Sequence, residues 1–136
     1  MTVQAQLKWT DGMQFIGRTG DGAAIVLDNP EGGSGSSPME LVLMGVAGCT
    51  AMDVAFIIKK KRLHLTNFTI NISGKQADTH PKRYESIHIE YVLKGKDLKP
   101  KAVEQAIELS QEKYCSASGS LNADLTHTYK IIDSEE

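Results

Sequence analysis

The chain has 136 residues, 40% hydrophobic and 24% charged, which fits one globular domain over residues 1–136 and excludes disordered, collagen-like and tandem-repeat classes. Lys+Arg 15 against Asp+Glu 17 gives a formal net charge of −2. That balance lacks the positive field a phosphate backbone requires, so nucleic acid is not an expected partner.

No basic segment followed by an apolar one opens the sequence, and the most apolar stretch, Glu40 to Asp53, is shorter than the roughly 20 residues of a spanning helix. The expected location is the cytoplasm, with no membrane. Val3, Ala5, Leu7 and Trp9 alternate with Gln4, Gln6 and Lys8, the period of a half-buried strand. Asp11-Gly12 signals a hairpin turn. Met13 to Ile16 resume the pattern, Gly20-Asp21-Gly22 turns again, and Ala23 to Leu27 form a third run. A three-stranded meander over residues 2–28 is expected.

Asn29 to Ser36 has loop composition and leads into Ser37-Pro38-Met39-Glu40, an S-x-x-E capping box with proline at the first helical position. Leu41 to Ala47 are apolar all round, which predicts a helix buried on every side. The pattern runs on through Met52, Val54, Ala55, Ile57 and Ile58 to Lys59-Lys60-Lys61-Arg62, cations placed where a helix C-terminus favours them. Gly45 and Gly48 each cost about 1 kcal/mol relative to alanine. Either another backbone packs closely there, or the helix breaks near Gly48 and restarts at Thr50-x-x-Asp53.

The remaining chain reads strand, strand, helix, strand. Phe68, Ile70 and Ile72 alternate with Thr69 and Asn71, and Ile87, Ile89, Tyr91 and Leu93 alternate with His88, Glu90 and Lys94. Val103, Ala106, Ile107, Ser110 and Tyr114 follow helical spacing from about Lys99 to Cys115, and a short strand near Leu125–Ile132 closes the chain. The order βββ-α-ββ-α-β predicts an α+β fold with antiparallel sheets packed on a buried central helix.

Chemistry centres on the two cysteines, Cys49 and Cys115. A reducing compartment disfavours a permanent disulfide but not a transient catalytic one, leaving two buried thiols or one redox pair as alternatives. Their wide separation excludes a C-x-x-C motif and a close-spaced zinc knuckle. A helix beginning at Thr50 would favour a thiolate at Cys49 through its dipole and free N–H groups. Glu40 is a nearby charge that also serves the capping box. Arg18 sits at a strand end, and arginine is suited to holding a thiolate ionised and orienting a peroxide oxygen. The glycine-rich loop lacks a phosphate-binding signature. His64, His80, His88 and His127 have no metal-like spacing, and His88 lies on the polar side of its strand. No metal or cofactor is expected.

Two segments resemble the OsmC/Ohr family of thiol-dependent hydroperoxide reductases. The first is Ser37-Pro38-Met39-Glu40-Leu41 followed by Gly45-Val46-Ala47-Gly48-Cys49, similar to the family's Pro-Glu-Glu/Gln-Leu opening, small-residue run and cysteine. The second, Ser110-Gln111-Glu112-Lys113-Tyr114-Cys115-Ser116, is similar to its Ala-Glu-x-x-Cys-Pro segment. The resemblance covers essentially the whole chain and implies an OsmC-like fold and an intertwined homodimer with active sites at the subunit interface. It implies that Cys49 attacks an organic hydroperoxide to form a sulfenic acid, that Cys115 resolves it to a disulfide, and that a dithiol reductant restores both thiols. The family's catalytic glutamate directly follows the proline, where this chain has Met39; Glu40, one residue on, points about 100° around the helix. Arg18 is the candidate for the family's catalytic arginine, and Ser116 replaces the proline after the second cysteine. The alternative reading is a stress-associated dimer that binds a small apolar or electrophilic ligand without peroxidase turnover.

Overall fold

A computed structural model describes residues 1–20 and 22–134. Contacts group the chain into two compact units, Met1–Val42 and Leu43–Glu136.

In the first unit, β1 (Ala5–Asp11), β2 (Gln14–Thr19) and β3 (Ile25–Leu27) form the expected antiparallel meander in sheet order β1-β2-β3. The first turn lies where the Asp-Gly pair predicts it. Asp11 Oδ1 accepts from the Gly12 amide at 2.9 Å, and Gly12 takes φ +54°, a left-handed conformation natural to glycine. The turn expected at Gly20-Asp21-Gly22 includes Asp21, which lies outside the described residues. The alternation of β1 gives no burial within the chain, since all seven of its residues are exposed.

The loop after β3 folds around Asp28, which is buried. Its carboxylate accepts from the Asn29 amide and from the amide and hydroxyl of Ser34. The first of the causes holding its pKa down is the Ser34 hydroxyl. A Cβ on Gly32 would lie 2.3 Å from that carboxylate, so the glycine is there for close approach. The loop's own donors thus already serve an anion of the chain.

Helix α1 spans Pro38–Lys60. The capping box forms reciprocally, with the Glu40 carboxylate accepting from the Ser37 amide at 2.8 Å and the Ser37 hydroxyl accepting from the Glu40 amide at 3.2 Å. At the other end the Arg62 amide donates to Lys59 O and the Leu63 amide to Ile58 O. This is a Schellman motif, with Arg62 at φ 60° in the position glycine usually takes.

Three expectations about this helix need correction. It does not break near Gly48, and nothing lies within 4 Å of a Cβ built at Gly45 or Gly48, so neither explanation of the glycines holds within this chain. It is not buried on every side: only Val46, Thr50, Val54 and Ile58, four residues apart on one stripe, are buried, while Met44, Met52 and Phe56 are exposed. Lastly, its 23 residues are long and apolar enough to cross a membrane. The sequence estimate stopped at Asp53, but one carboxylate does not end the apolar character that continues to Ile58. Membrane spanning does not follow, because the helix directs its buried stripe into a protein core.

That core belongs to the second unit, where β4 (His64–Gln76), β5 (Tyr84–Lys96) and β6 (Asp124–Asp133) form a sheet in order β4-β5-β6. β5 is central, and its alternation buries Ile87, Ile89, Tyr91 and Leu93. β4 pairs antiparallel with β5 as expected, but β6 pairs with it in parallel. The connection explains this: helix α2 (Pro100–Leu109) carries the chain back along the sheet before β6 begins. On the polar side of β5, the ring nitrogens of His88 engage Thr126 and Thr128 of β6.

The helix predicted to reach Cys115 regularly does not do so. After α2 the chain widens into a π-turn at Ser110–Tyr114, where the Cys115 amide donates to Ser110 O at 2.8 Å. A short helix α3 (Ser116–Gly119) follows. The extra residue in the turn rotates what comes after it. Tyr114, which helical spacing places inward, is 48% exposed, and Cys115 is 6% exposed.

Candidate functional site

The site is built entirely in the second unit. On α1, Cys49 and Asp53 are four residues apart and share one face beside the buried stripe. The π-turn brings Cys115 to them from the other side. One donor atom from each of Cys49, Asp53 and Cys115 lies within 4.8 Å of the other two. The thiols that the sequence separates so widely are therefore neighbours, and both are free.

Burial pushes the Cys115 thiol above its ordinary pKa. The Ser118 hydroxyl and amide pull it back, and the adjoining Cys49 thiol raises it again. Cys115 is accordingly a thiol at neutral pH. Cys49 is half-buried, more open to solvent than Cys115.

A polar chain runs behind the thiols. Thr50 Oγ1 lies 2.7 Å from both Tyr91 Oη and Ser110 Oγ, and Ser110 Oγ lies 2.9 Å from Asp53 Oδ2. Gln111 Nε2 donates to Tyr91 Oη at 2.6 Å. An ionised carboxylate only accepts, so Ser110 gives its single proton to Asp53. Thr50 must then donate to Ser110, and Tyr91 to Thr50. The donors therefore run in one direction, from Gln111 through Tyr91, Thr50 and Ser110 to Asp53. Thr50, Tyr91 and Ser110 are completely buried, so this chain satisfies groups that would be costly to bury alone. Burial raises the Tyr91 pKa as well, against the bonds from Thr50 and Gln111. Gln111 Oε1 is a buried acceptor with no partner among the described residues.

Next to the thiols is a pocket of about 500 Å³ with apolar walls from Phe56, Ile57, Leu109 and Tyr114. Asp53 and Lys60 also line it, so it shares Asp53 with the cluster.

Of the four site residues expected from sequence, the structure brings Cys49 and Cys115 together. Glu40 and Arg18 lie in the first unit. The Glu40 carboxylate is engaged in the capping box, which lowers its pKa chiefly through the Ser37 amide. Arg18 is exposed on β2, opposite Gln6. Asp53, Thr50, Tyr91, Ser110 and Gln111 are additions. Their signal in the sequence is polarity out of place. Thr50 interrupts the stripe of Val46, Val54 and Ile58, and Ser110 falls on the apolar face of α2. Tyr91 occupies the buried parity of β5.

Comparison with known proteins identifies the family and the fold. The OsmC-like protein family model matches residues 31–130. The chain is 35% identical to protein YhfA of Escherichia coli K12 over 132 residues, covering 96% of this chain and 98% of that one. A crystal structure of a hypothetical protein from Aquifex aeolicus superposes with a TM-score of 0.90 at 33% identity, covering 99% of each chain. At 17% identity, the organic hydroperoxide resistance protein OhrB of Bacillus subtilis shares the fold, with a TM-score of 0.64 over 96% of this chain and 98% of that one. The expectation drawn from the two cysteine segments holds: this chain belongs to the OsmC-like protein family.

Proposed function

We propose that the protein reduces organic hydroperoxides through its two cysteines, in defence against oxidative stress. The observation that carries this reading is the approach of the Cys49 and Cys115 sulfurs to within 4.8 Å of each other. Only a small movement separates that distance from the S–S bond length of about 2.05 Å. Cys49, the more open thiol, attacks the peroxide O–O bond. Its sulfur takes one oxygen and becomes a sulfenic acid, and the alcohol leaves. Cys115 then displaces that oxygen as water and closes a disulfide, which protects Cys49 from further oxidation. A dithiol reductant restores both thiols. The apolar pocket lined by Phe56, Leu109 and Tyr114 supports an organic substituent over hydrogen peroxide.

Arg18 and Glu40, both in the first unit, stand as proposed charged partners of the reaction on the family resemblance alone, an arginine being suited to holding a thiolate and orienting a peroxide. The working form is a homodimer in the cytoplasm, with the exposed face of α1 (Met44, Met52 and Phe56) as contact area. Fold similarity to a hydroperoxide resistance protein supports the reading, as does membership of the OsmC-like family.

Steady-state turnover of cumene hydroperoxide with a dithiol tests it. Cys49→Ser should abolish turnover. Cys115→Ser should permit one turnover and leave a sulfenic acid that dimedone traps. Normal cycling in either variant would overturn the assignment. The pocket also favours a second reading, a binder of small apolar or electrophilic ligands without turnover. That reading predicts ligand affinity that survives Cys49→Ser and no peroxide consumption by the wild type.

A further inference from the structure

The peroxidase reading makes no use of Asp53. A carboxylate among thiols does nothing to favour thiolate formation, because like charges oppose one another. Yet this carboxylate is positioned deliberately: Ser110 holds Oδ2 at the end of a buried hydrogen-bond chain, which leaves the other oxygen to point elsewhere. No ion pair neutralises it among the described residues, even though Lys60 and Lys61 line the same pocket.

We propose that Cys49, Asp53 and Cys115 of the reduced protein form a three-ligand site for a divalent zinc-like cation. Two sulfurs and one carboxylate oxygen are donors that zinc accepts, and three protein ligands with one open position is a recognised arrangement. Zinc–sulfur bonds of about 2.3 Å and zinc–oxygen bonds of about 2.0–2.2 Å put tetrahedral donors about 3.5–3.8 Å apart. The three donors already lie within 4.8 Å of one another, so closing on a cation takes side-chain movements of an ångström or so. Cys49 and Asp53 are spaced by one helix turn, and Cys115 directly follows the π-turn, so two separate elements supply the set.

The supports that orient metal ligands are present too. Ser110 fixes the carboxylate, and Ser118 holds the Cys115 segment in place, its hydroxyl donating to the Cys115 carbonyl at 3.1 Å. The pocket that Asp53 lines adjoins the three donors on the side of its carboxylate-bearing helix. On binding, both thiol protons leave to solvent, and the two thiolates plus the carboxylate outweigh the cation by one negative charge. Disulfide formation removes both sulfur ligands, so the cation belongs to the reduced form alone. Where it sits, it occupies the sulfur that would attack a peroxide.

The test uses the reduced full chain with cobalt(II) as a spectroscopic probe and zinc(II) in competition with a chromogenic chelator, without peroxide. Its outcome is therefore independent of whether the protein turns over. The expected result is one ion per chain, with near-ultraviolet sulfur-to-cobalt charge-transfer absorption and visible bands of a tetrahedral centre. Cys49→Ser and Cys115→Ser should each lose about half of the charge-transfer intensity per bound ion. Asp53→Asn, which keeps the side chain's shape, should weaken zinc binding at least about tenfold, the lower bound seen when only a supporting partner of a ligand is removed. Chain oxidised to the disulfide should not bind. Absence of stoichiometric binding, or affinity unchanged in Asp53→Asn or in the oxidised chain, would overturn the proposal.

Discussion

The two sheets of this chain carry the same sequence signal and meet opposite fates. β1 alternates Leu7 and Trp9 with polar residues, and both are exposed, at 55% and 61%. β5 sets Ile87, Ile89, Tyr91 and Leu93 on one parity, with His88, Glu90 and Lys94 on the other, and each of the first four is at most 1% exposed. Alternation therefore announces a strand with an apolar face, but says nothing about whether the same chain covers it. β5 has a strand on each side and helices within its own unit, whereas β1 is an edge strand. The exposed apolar face of α1 belongs with β1 in this respect, and both are surfaces that a second copy would cover in the proposed dimer.

The sharpest way to break this comparison is at the π-turn. Inserting one alanine after Lys113 adds a residue beyond the one the wide turn absorbs, and should turn Cys115 by about 100° out of its buried slot. Peroxide should then leave no Cys49–Cys115 disulfide by peptide mapping. A disulfide formed at the wild-type rate would show that the wide turn does not place the thiol.

Core truncations come next. Leu93→Ala should cost about 2–5 kcal/mol in denaturant unfolding, the range for a buried leucine. Leu7→Ala should cost under about 0.5 kcal/mol at concentrations where the chain is monomeric. A large loss from Leu7→Ala that grows with protein concentration would locate β1 in the subunit interface. Thr50→Val removes the middle of the hydrogen-bond chain, leaving the buried Tyr91 hydroxyl without its acceptor and Ser110 without its donor, which should cost about 1–3 kcal/mol.

The pH dependence follows from Cys115. Its pKa is raised, so it is the neutral thiol that prevails from neutrality upward until the raised value is reached. The closing step needs the thiolate, and its rate should rise about tenfold per pH unit over that range. For stability the sign is opposite: a raised folded pKa favours the reduced fold below the unfolded thiol's pKa, and this is lost as pH rises through the folded value. Stopped-flow tryptophan or thiol-probe kinetics would read the first effect, and a flat profile would contradict it.

Smaller effects test the ends of α1. Ser37→Ala should lose about 1 kcal/mol. Glu40→Gln keeps the capping pattern, since glutamine also serves at that position, so any loss of turnover in that variant reports the charge itself. Because the Glu40 pKa is lowered, the cap's contribution is present above the unfolded carboxylate's pKa and fades as pH falls through the folded value.

Much of this molecule is legible in its sequence because local signals decide it. The Asp11-Gly12 turn, the Ser37–Glu40 box, the cationic end of α1 and the alternation of β5 all depend on near neighbours. The parallel pairing of β6 does not, because it depends on where α2 delivers the chain. The π-turn was hidden for a similar reason. Ser110 and Tyr114 fit regular helical spacing, and only the burial of Cys115 in its place shows the extra residue. The glycines of α1 misled in the opposite direction, since Gly45 and Gly48 face open space in a helix that never breaks. Both cysteines could be named from motif, but their partner Asp53 could not, because its four-residue spacing from Cys49 reads equally well as helix surface.

The central claim is that two distant thiols form one redox centre, and counting them is its most direct test. The reduced protein should have two free thiols per chain and none within seconds of one equivalent of cumene hydroperoxide. Cys49→Ser should keep its single thiol under the same treatment. If the wild type retains both thiols after the peroxide, the proximity of Cys49 and Cys115 is not a redox centre and the peroxidase account fails.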